Sequence, residues 1–137
     1  MHNLLIAIII QVVLGIGESF MLQISMRESL GITILDLVGK IILGTGDRKL
    51  KEVIDTLLAE DKRNILLNFN GVTYMDSSGI GQLVHSLRTV KADCGQLKIV
   101  NVSNKIYNTF DIMKLLPIFE VYSDEKEAVK SFESLSS

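Results

Sequence analysis

The sequence predicts a single α/β domain built on a mixed, mainly parallel β-sheet packed with α-helices, and three patterns carry that prediction. From Met21 onward, short apolar runs alternate with segments of helical periodicity. The run Ile65-Leu66-Leu67-Asn68-Phe69 is almost continuously apolar, as expected of a strand covered on both faces in a parallel sheet. No repeat or low-complexity stretch interrupts the pattern, and 137 residues with 47% hydrophobic and 22% charged side chains fit one compact domain. The predicted element order is ββαβαβαβα.

Each element has its own signal. Leu22, Ile24 and Met26 alternate with Gln23, Ser25 and Arg27, the pattern of a half-exposed strand. Ser29-Leu30-Gly31 supplies a turn before the apolar run Ile32 to Val38, so the two strands are expected to form a hairpin. After a glycine-rich turn through Gly39, Gly44 and Gly46, Leu50, Val53, Ile54, Leu57 and Leu58 recur at helical spacing, with Asp47 the expected N-cap. The buried strand around Ile65 follows, joined by a loop from Gly71 to Gly81 to a second amphipathic helix marked by Ile80, Leu83, Val84 and Leu87 and ending near Gly95. Leu97, Ile99 and Val100 make another strand, Ile106 to Met113 a short helix, Phe119 to Tyr122 an edge strand and Asp124 to Leu135 a capped terminal helix. Strands separated by helices should lie parallel with right-handed crossovers, while the first hairpin adds one antiparallel strand.

Composition narrows the function classes. A net charge of -2 gives no electrostatic reason to expect nucleic acid, so protein partners are favoured. The single cysteine, Cys94, cannot close an internal disulfide or build a thiolate metal site alone; it suits a reducing cytoplasm and is expected to pack at a helix end. Residues 1–20 form an apolar leader ahead of a domain over 21–137. Leu4 to Ile16 is too short to span a bilayer comfortably, and no Lys or Arg precedes Arg27, so the basic region of a signal peptide is missing. Two readings stand: a mis-assigned start, with Gly17-Glu18-Ser19-Phe20 encoded by a purine-rich run resembling a ribosome-binding site before Met21, or a genuine N-terminal extension that touches a membrane. The sequence leaves membrane contact open.

In an open sheet of this kind, functional residues gather beyond the carboxyl ends of the strands, next to helix N-termini. That places attention on Gly71-Val72-Thr73-Tyr74-Met75-Asp76-Ser77-Ser78-Gly79-Ile80-Gly81. A serine at such a helix start is expected to act as N-cap while staying accessible to another protein. A phosphate placed there is tolerated by the helix dipole, yet at a desolvated interface beside Asp76 it meets like charge and lacks a cation. Gly79 and Gly81 either leave surface for a close approach by a partner or ease helix packing.

Asp-Ser-Ser-Gly-Ile-Gly at a strand-to-helix turn, within this element order, resembles the STAS family, the sulfate-transporter and anti-sigma-factor-antagonist domains, and most closely its small bacterial anti-anti-sigma factors. The resemblance runs from about Leu22 to Phe132. It implies that Ser78 is the serine phosphorylated by a partner kinase that is also an anti-sigma factor, with a metal-dependent serine phosphatase resetting the switch. Ser77 then occupies an adjacent, turn-supporting position, and Asp76 matches the acidic residue that orients the turn or the hydroxyl. The implied partner surface comprises Asp76, Ser77, Gly79, Ile80, Gly81 and Gln82 together with the loop near Thr45. The implied role is that of a cytoplasmic kinase substrate, not an enzyme, with no cofactor. The alternative is a non-switching STAS scaffold or a soluble subunit of a membrane transport or signalling assembly. One departure stands out: many members carry Gly-Glu-(Ile/Leu)-Asp after the second strand, whereas this chain reads Gly39-Lys40-Ile41-Ile42 and lacks the acidic pair.

Competing chemistry is poorly supported. Ser78 and His85 lie seven residues apart on one helix, about 10 Å along its axis and beyond hydrogen-bond reach. There is no Gly-x-Ser-x-Gly elbow, P-loop or Gly-x-Gly-x-x-Gly fingerprint. The two histidines, His2 and His85, come with no compact ligand cluster for a metal.

Overall fold

The computed structural model describes residues 21–133; the leader and the end of the expected terminal helix at Leu135 lie outside them. A five-stranded sheet in the order β1-β2-β3-β4-β5 forms the middle layer, made of β1 (Gln23–Ser29), β2 (Ile32–Ile41), β3 (Asn64–Met75), β4 (Gln96–Val100) and β5 (Val121–Tyr122). The helices are α1 (Gly46–Ala59), α2 (Ser77–Ala92), α3 (Asn104–Ile112) and α4 (Glu125–Glu133). β1 pairs antiparallel with β2 and every other pair is parallel, as the sequence predicts.

Strand periodicity decides which helix covers which face. Leu35, Leu37 and Ile41 of β2, Ile65, Leu67 and Phe69 of β3, and Leu97 and Ile99 of β4 join the core under α1, α2 and α3, where Leu50, Ile54, Leu83, Leu87, Ile106 and Phe110 meet them. The alternate residues Ile32, Ile34, Leu66 and Val100 face the other way and pack against Ala128, Val129 and Phe132 of α4. Buried Lys98 reaches out among them, donating to Ser131 Oγ at 2.8 Å with its Nζ 4.7 Å from the Phe132 ring centre. Arg27 ties this layer to the hairpin by bonding Asp36 at 2.7 Å and Glu125 at 2.9 Å.

Local geometry corrects several expectations. The hairpin turns on Leu30 and Gly31, both at positive φ (52° and 82°), the backbone twist that a two-residue hairpin favours. Asp47 is not the N-cap of α1: the helix begins a residue earlier at Gly46, Thr45 holds the cap position without a side-chain cap bond, and Asp47 lies in the first turn. Gly46 is why the start sits so close to the sheet, since a Cβ there would meet the Lys40 carbonyl oxygen at 2.4 Å. The expected loop from Gly71 is strand as far as Met75. Two register shifts, between Asp36 and Val38 and between Gly39 and Lys40, let β3 carry two more residues than β2 over the same distance, so pairing continues to Ile41↔Met75.

The end of α2 differs as well. The helix stops at Ala92, and Cys94, not Gly95, takes the left-handed conformation (φ 65°), with Gly95 N–H returning to the Val90 carbonyl. Cys94 is exposed and not packed. The edge strand is only two residues long, because Phe119 turns into the core against Phe110. Ser103 and Asp124 cap the last two helices, accepting from the N–H groups of Ile106 and Glu127. No helix among the described residues is long and apolar enough to cross a membrane.

Candidate functional site

The extension of β3 delivers Asp76 beside the end of β2, where the chain leaves the sheet for α1. Asp76 is the N-cap of α2, in extended conformation, and its Oδ1 accepts from Gly79 N–H at 2.8 Å. Its Oδ2 accepts from Leu43 N–H at 3.0 Å, so one carboxylate closes the helix start and holds the β2–α1 turn. Those backbone donors, Gly79 first and Leu43 second, outweigh partial desolvation and keep Asp76 below its ordinary carboxylate range. Asp76 thus holds the start of α2 and the β2–α1 turn, while the Ser78 hydroxyl bonds elsewhere.

Ser78 is not the N-cap. It is the second helical residue, half-buried, and its Oγ donates to Asp47 Oδ2 at 2.9 Å. Ser77 is exposed at the first helical position. Gly79 is buried, and a Cβ there would stand 1.9 Å from the Ile41 carbonyl oxygen. Its need for glycine is therefore a matter of close packing against β2. Ile80 is buried too, lining a cavity of about 70 Å³ with Met75, Ile106 and Phe110, so neither Gly79 nor Ile80 presents a side chain to a partner. Gly81 is exposed with open space where a side chain would go. Gln82, half-buried, turns along the helix to donate to Ser86 Oγ at 3.1 Å. Thr45 sits at the start of α1, its Oγ1 buried without a hydrogen-bond partner.

Sequence reasoning missed three participants: the Asp47 carboxylate, the Leu43 N–H and the Ile41 carbonyl. They lie 31 to 38 residues before the groups they meet, and only the bulged register of β3 brings them together. The surface around them includes exposed Leu43 and Tyr74, the latter with Lys105 Nζ 5.6 Å from its ring centre. Exposed Lys40 stands near the end of β2, where the acidic signature would lie. His85 does not approach Ser78; its ring nitrogen is 3.4 Å from Thr89 Oγ1, one turn further along. Among the described residues no cluster of His, Cys, Asp or Glu could hold a metal ion.

The described residues thus form a mixed α/β sheet with a serine-bearing helix start stapled by carboxylates to the neighbouring turn. The chain belongs to the STAS domain family, whose model matches residues 23–128. It is 24% identical over 115 residues to the anti-sigma F factor antagonist of Paenibacillus polymyxa, covering 84% of this chain and 98% of that one. It is 33% identical over 73 residues to the anti-sigma-B factor antagonist of Bacillus subtilis (strain 168), covering 53% of this chain and 67% of that one. Among solved structures, the Bacillus cell fate determinant SpoIIAA in its phosphorylated form superposes with a TM-score of 0.62 at 22% identity, covering 80% of this chain and 98% of that one. The fold and family read from the sequence are therefore right.

Proposed function

We propose that this protein is an anti-sigma factor antagonist that works by partner switching in the cytoplasm. Unphosphorylated, it binds an anti-sigma factor serine kinase and so frees a sigma factor; phosphorylated on Ser78, it lets the kinase go. A serine phosphatase of the metal-dependent class restores the binding form. The chain is the substrate in this cycle and performs no chemistry itself. The carrying observation is Ser78 in the first turn of α2, its hydroxyl already bonded to Asp47 at 2.9 Å on a turn held by Asp76. The names of the curated relatives support the same reading.

The physics of the site explains how binding switches without unfolding. A phosphate on Ser78 carries about -1.5 to -2 charges and lies over the N-terminus of a 16-residue helix, where the dipole favours an anion. The core beneath is untouched, because Ile80 and Leu83 point inward. At an interface, the same charge must be stripped of water, and desolvation of an unpaired anion costs several kcal/mol on the order of the binding energy itself. Ser77, Gly81, Gln82 and the Thr45 loop then form the contact surface around the modified residue, with Lys40 at its margin.

The test is phosphosite mass spectrometry of the protein recovered with its bound partners from its native host, comparing wild type with Ser78→Ala. Phosphate on Ser78 in the free pool, and an unmodified pool bound to an ATPase-like anti-sigma factor, is the expected result. Ser78→Ala should bind permanently and Ser78→Asp weakly. No phosphate and a constant partner of another kind would sink the switch and return the non-switching scaffold or transport subunit.

A further inference from the structure

Two helix starts meet at the acceptor serine. Asp47 is the second residue of α1 and Ser78 the second residue of α2, and Ser78 Oγ donates to Asp47 Oδ2 across 31 residues of chain. The other Asp47 oxygen accepts from the Arg48 N–H at 2.7 Å, so the carboxylate is held with one oxygen toward the hydroxyl. Asp76 is differently engaged, since both its oxygens are occupied by backbone N–H groups of Gly79 and Leu43. The cations flanking this turn in sequence are Lys40 and Arg48, and among the described residues neither side chain forms an ion pair with Asp47 or Asp76.

We propose that Asp47 is the positioning and sensing residue for Ser78: it fixes the hydroxyl before modification and opposes the phosphate after it. The proposal rests on the reading of Ser78 as a phosphorylation site. Transfer of the terminal phosphoryl group from a kinase-bound nucleoside triphosphate forms the Oγ–P bond, breaks the P–O bond to the nucleoside diphosphate and releases the hydroxyl proton. That proton, shared with Asp47 Oδ2 in the hydrogen bond, leaves to solvent, so Asp47 remains a carboxylate. The modified oxygen has nothing left to donate, and the attraction at 2.9 Å becomes repulsion between a phosphate and a carboxylate. Because Asp47 lies in the first turn of α1, just after the Leu43–Thr45 turn, that turn feels the change, and a modification on one loop is read on two.

The test needs no partner. Phosphoserine is placed at position 78 by genetic encoding in the full chain, with either Asp47 or Asp47→Asn, and the phosphate is titrated by phosphorus NMR. Asp47→Asn keeps an oxygen for the unmodified hydroxyl and removes the charge; Asp47→Ser serves if that variant does not fold. The second ionisation of the phosphate, ordinarily near pH 6, should fall at a pH lower by roughly half a unit in Asp47→Asn, the effect of one charge at about 5 Å in a solvent-like medium. Backbone amide signals of Leu43 to Asp47 should move on phosphorylation in wild type and less in the variant. Coincident titrations overturn the proposal, whatever the partner does. Separate titrations in a protein whose partner affinity ignores phosphoserine uphold Asp47 and remove the switching function instead.

Discussion

Replacing Gly79 by alanine tests the packing that places the serine turn. The added Cβ would sit 1.9 Å from the Ile41 carbonyl oxygen, 2.8 Å from its carbon and 3.1 Å from Ile41 Cγ2. Two of the three atoms are backbone of Ile41, which is paired with Met75 of β3, so the helix start must give way by about 1 Å. A retreat of that size stretches the Asp76–Leu43 bond, now 3.0 Å, out of hydrogen-bond range. Overpacking costs about 1–3 kcal/mol and the lost bond about 1 kcal/mol, against up to about 1 kcal/mol gained from replacing glycine in a helix. The expected net loss is about 2 kcal/mol, or roughly 8–10 °C in Tm for a domain of this size. Urea unfolding followed by circular dichroism measures it. Gly81→Ala is the control, because open space surrounds that position, and it should be neutral or up to about 1 kcal/mol more stable. Equal stability of Gly79→Ala and wild type would refute the close-packing account; equal partner affinity of Gly81→Ala would show that no partner backbone comes near Gly81.

Other expectations follow from the same geometry. Asp76→Ala removes an N-cap and the hold on Leu43, so it should cost about 1–2 kcal/mol and speed hydrogen exchange at Gly79 and Leu43 N–H, measured by NMR. Asp76, Asp36 and Glu125 all lie below their ordinary values of 3.8, 3.8 and 4.5; in Asp36 burial pulls upward but is outweighed by bonds from Arg27 and Asn68, and in Glu125 the Arg27 bond leads. Folded values below unfolded ones mean a contribution fully present above those ordinary values and lost as pH falls through the depressed ones. Urea stability should therefore be level near neutrality and drop in acid below about pH 4, with a shallower drop in Asp76→Asn. Lys98→Met keeps the stem that packs under α4 and should change stability by less than about 1 kcal/mol, whereas Lys98→Ala leaves a cavity and should cost about 2 kcal/mol or more by thermal unfolding.

What the sequence reveals and what it hides divide by range. The layer order, the parallel pairing and the hairpin are local or patterned: apolar–polar alternation is absent from the run Ile65-Leu66-Leu67 because α1–α3 cover one face and α4 the other. The helix caps at Ser103 and Asp124 are equally local, each set by a side chain three residues before the N–H it accepts. The errors arise where one segment's fate depends on another. Whether Gly71 to Met75 is loop or strand is decided by β2, whose shifted register draws β3 onward to Met75. Whether Gly46 can start a helix is decided by the Lys40 carbonyl behind it.

The site follows the same division. Ser78 and Asp76 are visible in the sequence because strand-to-helix turn, cap residue and the serine lie within three positions. The acid that answers Ser78 is invisible there, because it comes from α1 and sits three residues beyond Gly44, after a turn that carries no acidic pair. A negative group nevertheless stands beside the hydroxyl. Lys40 marks the outer margin at the end of β2, while Asp47 holds a carboxylate at the centre. On the proposed reading, a partner suited to this chain accepts a cation at the margin, and the charge conflict of a phosphate on Ser78 lies within the domain itself.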